Sequence, residues 1–333
     1  MKIRFLLVLA VFFCCENILF SSGNKQPDPV ADLVLLGDYI PFHSSKLASL
    51  EKKTAFSLTG DLPVLDGATA LFPVYASFVQ AVYPKAEFNK IYKDRDKFDL
   101  DQRNKIEAGF IRCTTTPSAY RSLINREADI IFCMEPSKEQ VNEAAGKGIK
   151  LNMTPIGKDA FVFIVNIDNP INNITSDQIR KIYSGQITNW KDIGGKDEEI
   201  IAYQRNKDSG SQTLLESIMG ETPIMEPPLA HAIGTMSRVI TVVSAYNNYP
   251  NAIGYSFLFY TTEMVKNKKI KLLSIDGVMP SRETIKSGKY IFSNTFYAIT
   301  TGNEKENAKK LINWVLSPEG QYLVEKTGYV PIK

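Results

Sequence analysis

Two α/β lobes joined by a two-strand hinge, with a ligand cleft between them, is the fold class this sequence predicts. The first observation is length: 333 residues are more than one hydrophobic core comfortably holds and suit two domains of ~100–200 residues. The second is that short apolar strands alternate with amphipathic helices in both halves of the chain, as in layered α/β proteins. The third is an apolar strand, Ala160 to Val165, that leaves the first such set, and another, Phe296 to Thr300, that returns to it. The expected division is a signal peptide over 1–23, an N-terminal arm over 24–60, one lobe from 61–165 with 287–333, and a second lobe over 166–286.

Hydrophobic residues at 44% and charged residues at 23% describe an ordinary globular chain. The net charge of +3 is spread among interspersed acids and bases, which excludes a basic stripe for nucleic acid. Lys2 and Arg4 precede the apolar run Phe5 to Phe13, too short to span a bilayer and suited to a secretory signal. Ser21-Ser22-Gly23 suits an ordinary signal peptidase, whereas Cys14 or Cys15 suits a lipid anchor, so soluble and anchored forms both stay open. Beyond the signal, Cys113 and Cys133 each end a short apolar segment and read as small buried hydrophobes, too far apart to bridge if a third strand separates them.

In the first lobe, Val64-Leu65 leads into a turn at Gly67, after which Leu71, Val74, Phe78 and Val82 recur at helical spacing until Pro84. Residues 85–109 are highly charged and read as a solvated excursion. Thr116-Pro117 reads as an N-cap with proline at the first helical position; the strand Asp129 to Phe132 follows that helix, giving a parallel strand–helix–strand unit. In the second lobe, Thr175-Ser176-Asp177-Gln178 reads as a capping box, and the strand Ile200 to Gln204 enters a turn before the helix of Leu214, Leu215 and Ile218. Two further helices follow the return strand, the last starting at Ser317-Pro318 and ending at Gly328.

Three hydroxyl-rich turns, each entering a helix, carry the chemistry: Asp66-Gly67-Ala68-Thr69, Cys113 to Ser118, and Arg205 to Ser211. A helix start offers N–H groups without intrahelical partners and the positive end of the macrodipole, so three converging starts select an anion by geometry. Thr69, Thr116, Ser209 and Ser211 supply rotatable hydroxyl donors, and Arg205 supplies a planar pair of N–H groups. Glu135 follows a strand and either projects toward the same edge as an acceptor, favouring an anion that keeps a proton, or serves the local helix near Pro136-Ser137. Taken singly, a serine or threonine before a helix is far more often a cap than a ligand; it is the joint pattern that points to a site. Tyr249, Tyr255, Phe257 and Tyr260 lie in apolar surroundings and read as core. The sequons at Asn152 and Asn173 read as coincidental.

From about residue 60 onward the sequence closely resembles the phosphate-binding proteins of bacterial phosphate ABC transporters, within the type II periplasmic binding protein fold. The resemblance is carried in order by LDGATALFPVYASF (65–78), TTTPSAYRSLINREADIIFCMEPS (114–137), PIGKDAFVFIVN (155–166), NITSDQIRKIYSGQITNW (173–190), QRNKDSGSQT (204–213), NAIGYSFLFY (251–260) and SPEGQYLVEKTGYVPI (317–332). It implies phosphate contacts at Thr69, the backbone of Ala70, Thr116, Glu135, Arg205, Ser209, Gly210 and Ser211. Two departures stand out. Glu135 replaces an aspartate and matches only with a one-residue shift, and Lys207 stands where an aspartate often pairs with the arginine, a role Asp208 would have to assume.

The resemblance implies a monomeric, non-catalytic, extracytoplasmic phosphate receptor without cofactor or metal that docks on membrane permease subunits. A receptor or sensor for another tetrahedral oxyanion is the nearest alternative. A secreted phosphatase is opposed by the histidines, His43 and His231 alone, both outside the anion turns.

Overall fold

A computed structural model of the chain describes residues 36–92, 106–227, 232–245 and 250–332. The proposed signal segment, His231 and Tyr249 lie outside the described residues. The first lobe opens with β1 (Leu65–Gly67), α1 (Phe72–Val82), α2 (Lys85–Tyr92), β2 (Ile106–Ala108), β3 (Ile111–Cys113), α3 (Thr116–Ile124), β4 (Ile130–Cys133) and α4 (Lys138–Gly146). β5 (Asn152–Asn166) then leads to β6 (Asn173–Ile174), α5 (Ser176–Tyr183), β7 (Ile201–Ala202), β8 (Gln204–Arg205), α6 (Gly210–Met219), β9 (Ala232–Ile233), α7 (Met236–Ser244) and β10 (Ala252–Phe257). The chain continues through β11 (Ile270–Leu272), β12 (Ser274–Ile275) and α8 (Arg282–Lys286) to β13 (Ser293–Thr300), α9 (Glu306–Val315), α10 (Pro318–Thr327) and β14 (Val330–Pro331).

One ten-stranded sheet runs in the order β2-β3-β1-β4-β13-β5-β10-β7, with β11 and β14 also paired to β5. The 15-residue β5 joins its two parts: Asn152 to Ala160 pair with β13, while Phe161 to Val165 pair with β10. The apolar run Ala160 to Val165 is thus the end of a longer strand, buried throughout because it has covered faces on both sides. β1 pairs in parallel with both β3 and β4, so their carboxyl ends open on one sheet edge. That edge is where ligands of open α/β sheets bind.

Several local expectations hold for stated reasons. Thr175 and Gln178 form the reciprocal capping box of α5, and α10 runs from the Ser317 cap to Gly328. Cys113 and Cys133 are unpaired and buried, on strands that flank β1. Three expectations need correction. Residues 85–92 form α2, whose Phe88 is buried beside Phe42 and Phe110, so the charged run hides one apolar face. Residues 36–60 are not a loose arm: Leu36, Tyr39, Ile40, Leu47 and Leu58 are buried in the core, and Leu58 N–H bonds Val82 O at 2.8 Å. The stretch Ile200 to Gln204 is two short strands in different sheets, because β7 pairs with β10 whereas β8 pairs with β9.

The first lobe's core wraps tightly around β1. Tyr75 stacks on Phe132 at 5.0 Å between ring centroids and donates its hydroxyl to Arg112 O at 2.7 Å. A Cβ on Gly67 would sit 2.5 Å from the backbone oxygen of Phe132 and 3.0 Å from the Tyr75 ring, so only glycine lets β1 lie this close to β4. Gly67→Ala is expected to lower unfolding free energy by about 1–3 kcal/mol through overpacking, read as a lower urea midpoint at unchanged slope.

Candidate functional site

The carboxyl ends of β1 and β3 deliver the chain into two turns without side-chain caps. Ala68 precedes the 3₁₀ turn Thr69–Leu71 and Thr115 precedes α3, and neither residue's side chain caps the helix that follows. Thr115, not Thr116, is therefore the cap position, at φ +84°, a conformation L-residues rarely adopt. The shift by one leaves Thr116 as the first helical residue. In the other lobe the parallel pair β8–β9 places two more helix starts side by side: Ser209 accepts from Gln212 N–H at the start of α6, and Thr235 accepts from Arg238 N–H at the start of α7.

These four turns enclose one cavity of about 80 Å³. The first lobe lines it with Ala68, Thr69, Ala70, Leu71, Thr115, Thr116, Pro117 and Met134, and the second with Arg205, Ser209, Gly210, Ser211, Gly234, Thr235, Met236, Ser237, Phe257 and Tyr260. Pockets for drug-sized ligands hold ~300–1,000 Å³, so this one suits a small ion rather than an organic substrate. Tyr329 donates its hydroxyl to Ala70 O and Tyr120 donates to Met134 O at 2.7 Å, bracing the first-lobe wall from behind.

Arg205 supplies the charge. Its Nε donates to Ile233 O at 3.2 Å, Nη2 to Gly234 O at 3.1 Å and Nη1 to Ser211 Oγ at 3.4 Å. A guanidinium has five N–H donors, so two remain without an acceptor among the described residues. Burial pulls its pKa below the ordinary value, and no carboxylate appears among the groups that act on it. Its backbone N–H is fixed by Tyr255 Oη at 2.7 Å and Gln212 Oε1 at 3.1 Å.

Of the residues singled out in the sequence, Thr69, Ala70, Thr116, Arg205, Ser209, Gly210 and Ser211 all line this cavity, and Glu135 does not. Glu135 is exposed and accepts from Tyr297 Oη at 3.0 Å. Successive residues leaving β4 face opposite ways, so Met134 takes the inward position and Glu135 the outward one. Neither does Glu135 cap the next helix, since Ser137 and Gln140 form the capping box of α4. Asp208 does not pair with Arg205: it accepts from Ser137 Oγ at 2.8 Å, and Lys207 meets Glu139 at 2.7 Å.

The fourth turn, Gly234 to Ser237, escaped the sequence reading because β9 has only two residues and shows no periodicity. A signal was present: Thr235 precedes Val239, Ile240, Val242 and Val243, the same cap-before-apolar-run pattern as the other turns. Tyr260 and Phe257 are buried as expected of core residues, yet both also reach the cavity wall.

Two lobes closing on an ion-sized cavity lined by helix starts define a binding protein of the periplasmic type. The chain belongs to the PBP superfamily, whose domain model matches residues 64–319. It is 28% identical over 204 residues to a phosphate-binding protein PstS of Borreliella burgdorferi, covering 59% of this chain and 70% of the relative. It is 27% identical over 252 residues to a phosphate-binding protein PstS of Staphylococcus epidermidis, covering 72% and 74%. Among solved structures it is similar to a putative phosphate ABC transporter substrate-binding protein with bound phosphate from Clostridium perfringens, with a TM-score of 0.61, 22% identity, and coverage of 82% of this chain and 100% of that one. That structural likeness establishes the fold.

Asp66 supports the second turn from inside the sheet. It is buried and accepts from Gly67 N–H at 2.7 Å, Thr114 N–H at 3.0 Å and Thr114 Oγ1 at 2.7 Å. Burial outweighs these bonds and pushes its pKa up from 3.8 to about 6. Between those values the folded protein keeps a proton the unfolded chain has released, so stability falls as pH rises from about 4 to about 6. Asp66→Asn removes that slope. Urea titrations across pH should show the wild-type-minus-variant stability dropping by up to ~3 kcal/mol over this window.

Proposed function

We propose that the protein is an extracytoplasmic receptor that binds inorganic phosphate between its lobes and delivers it to an ABC transporter permease. The observation that carries the reading is the half-buried Arg205 guanidinium, with two N–H groups that meet no protein acceptor among the described residues, in a cavity where hydroxyls and helix starts converge between apolar walls that include Leu71, Met134 and Phe257. A bound oxyanion supplies the missing countercharge, and the relatives named as phosphate-binding proteins support phosphate as that oxyanion. The reading includes an exported chain, as the apolar segment at residues 5–13 suggests, acting as a monomer and as a carrier rather than a catalyst.

Phosphate would meet the Arg205 fork, the hydroxyls of Thr69, Thr116, Ser209 and Ser211, and the N–H groups of the turns that carry them. Opening and closing of the cleft would turn on β5 and the return into β13, the segments that connect the two parts of the sheet. Isothermal titration of anion-stripped protein with phosphate at neutral pH is expected to give 1:1 binding at micromolar concentration or tighter. Two charge-assisted bonds at ~1.5–3 kcal/mol each correspond to at least about 100-fold in affinity, so Arg205→Ala should weaken binding by that factor or more. Absence of phosphate binding by the folded wild type would refute the assignment.

A further inference from the structure

The turn that carries Ser209, Gly210 and Ser211 is held from the opposite lobe. Asp208, immediately before it, lies at φ +64°, a left-handed conformation uncommon outside glycine that aspartate tolerates better than most residues. Its hydrogen-bond partners belong to the start of α4. Ser137 Oγ donates to Asp208 Oδ1 at 2.8 Å and Gln140 Nε2 donates to Asp208 O at 3.3 Å. Both donors are themselves locked in the α4 capping box, with Ser137 Oγ accepting from Gln140 N–H at 3.2 Å and Gln140 Oε1 accepting from Ser137 N–H at 2.9 Å. Beside them Lys207 Nζ meets Glu139 Oε1 at 2.7 Å, across the same gap. That pair is exposed and contributes little alone.

The bonds sit next to the cavity. A Cβ on Gly210 would lie 3.1 Å from Thr116 Oγ1, so the α6 and α3 starts nearly touch where the lobes meet. We infer that Asp208 is a positioning residue for anion binding: Ser137 and Gln140 clasp it across the cleft, so that closing the lobes and completing the Ser209–Ser211 half of the site are one event. The inference rests on reading the cavity as the phosphate site, and it makes Ser137, in the first lobe, a determinant of the shape of a turn in the second.

Two measurements test it. In the first, hydrogen exchange over residues 206–213 is followed in the full chain both without anion and with saturating inorganic phosphate, and the slower-exchanging, closed condition is the one compared between variants. Ser137→Ala is expected to speed it at least fivefold, while Ser137→Thr, which keeps the hydroxyl, restores the wild-type rate. Loss of the α4 cap alone would loosen only the first turn of α4. In the second, stopped flow reads inorganic phosphate release from Asp208→Gly, which accommodates the positive φ and lacks the carboxylate. Release is expected to quicken at least tenfold with association changed less than threefold. Exchange over 206–213 unchanged in Ser137→Ala, or release from Asp208→Gly as slow as from wild type, overturns the inference. A wild type that binds no phosphate removes the functional reading instead, and the exchange measurement still decides the clasp.

Discussion

A guanidinium partly withdrawn from water, with backbone carbonyls and a serine hydroxyl as its protein partners, constrains everything built around it. Arg205 cannot shed its proton in the ordinary pH range, and a withdrawn charge without a counterion is costly. Four helix starts aimed into the same space add to that positive potential rather than offset it, so guanidinium and helix starts together call for an anion. That choice sets the character of the site. Helix starts and hydroxyls are short, directional donors, so the cavity is small and selects by shape and by hydrogen-bond geometry rather than by accumulated positive charge. A protein of net charge +3 can therefore bind an anion without a basic surface.

Much of this was legible in the chain because the relevant signals are local. A hydroxyl residue before an apolar 3.6-residue period marks a helix start whatever the tertiary context, and Thr69, Ser209 and the Thr175 box could be placed on that basis. The paired strands β1, β3 and β4 were legible for the same reason, each being a short apolar run next to a turn. Burial of Cys113 and Cys133 followed from the short apolar segments they end, whereas their separation rested on a strand order that the structure supplies.

What was not legible depends on direction or on distant partners. Which face Glu135 takes is decided by alternation counted from the end of β4, and an error of one residue reverses it. The family match at that position needed a one-residue shift, and the structure shows what the shift does: Met134 turns inward and the carboxylate turns out to Tyr297. The Gly234–Ser237 turn was hidden because its strand is held by pairing with β8 rather than by any pattern of its own. Lys207 and Asp208 drew attention as substitutes for a partner of Arg205, but their actual partners, Glu139 and Ser137, lie about 70 positions away in sequence.

The hydroxyl of Tyr329 on the carbonyl of Ala70 joins residues 259 positions apart. Strand β14, beside it, pairs with β5 in the middle of the chain. The first anion turn is therefore braced by a segment that a ribosome makes 259 residues after it, and a nascent chain carries the turn long before it carries the brace. Folding of the binding edge is a late, long-range closure of the kind that slows a chain's approach to its native state. Competence to bind thus arrives with the whole polypeptide rather than with either lobe.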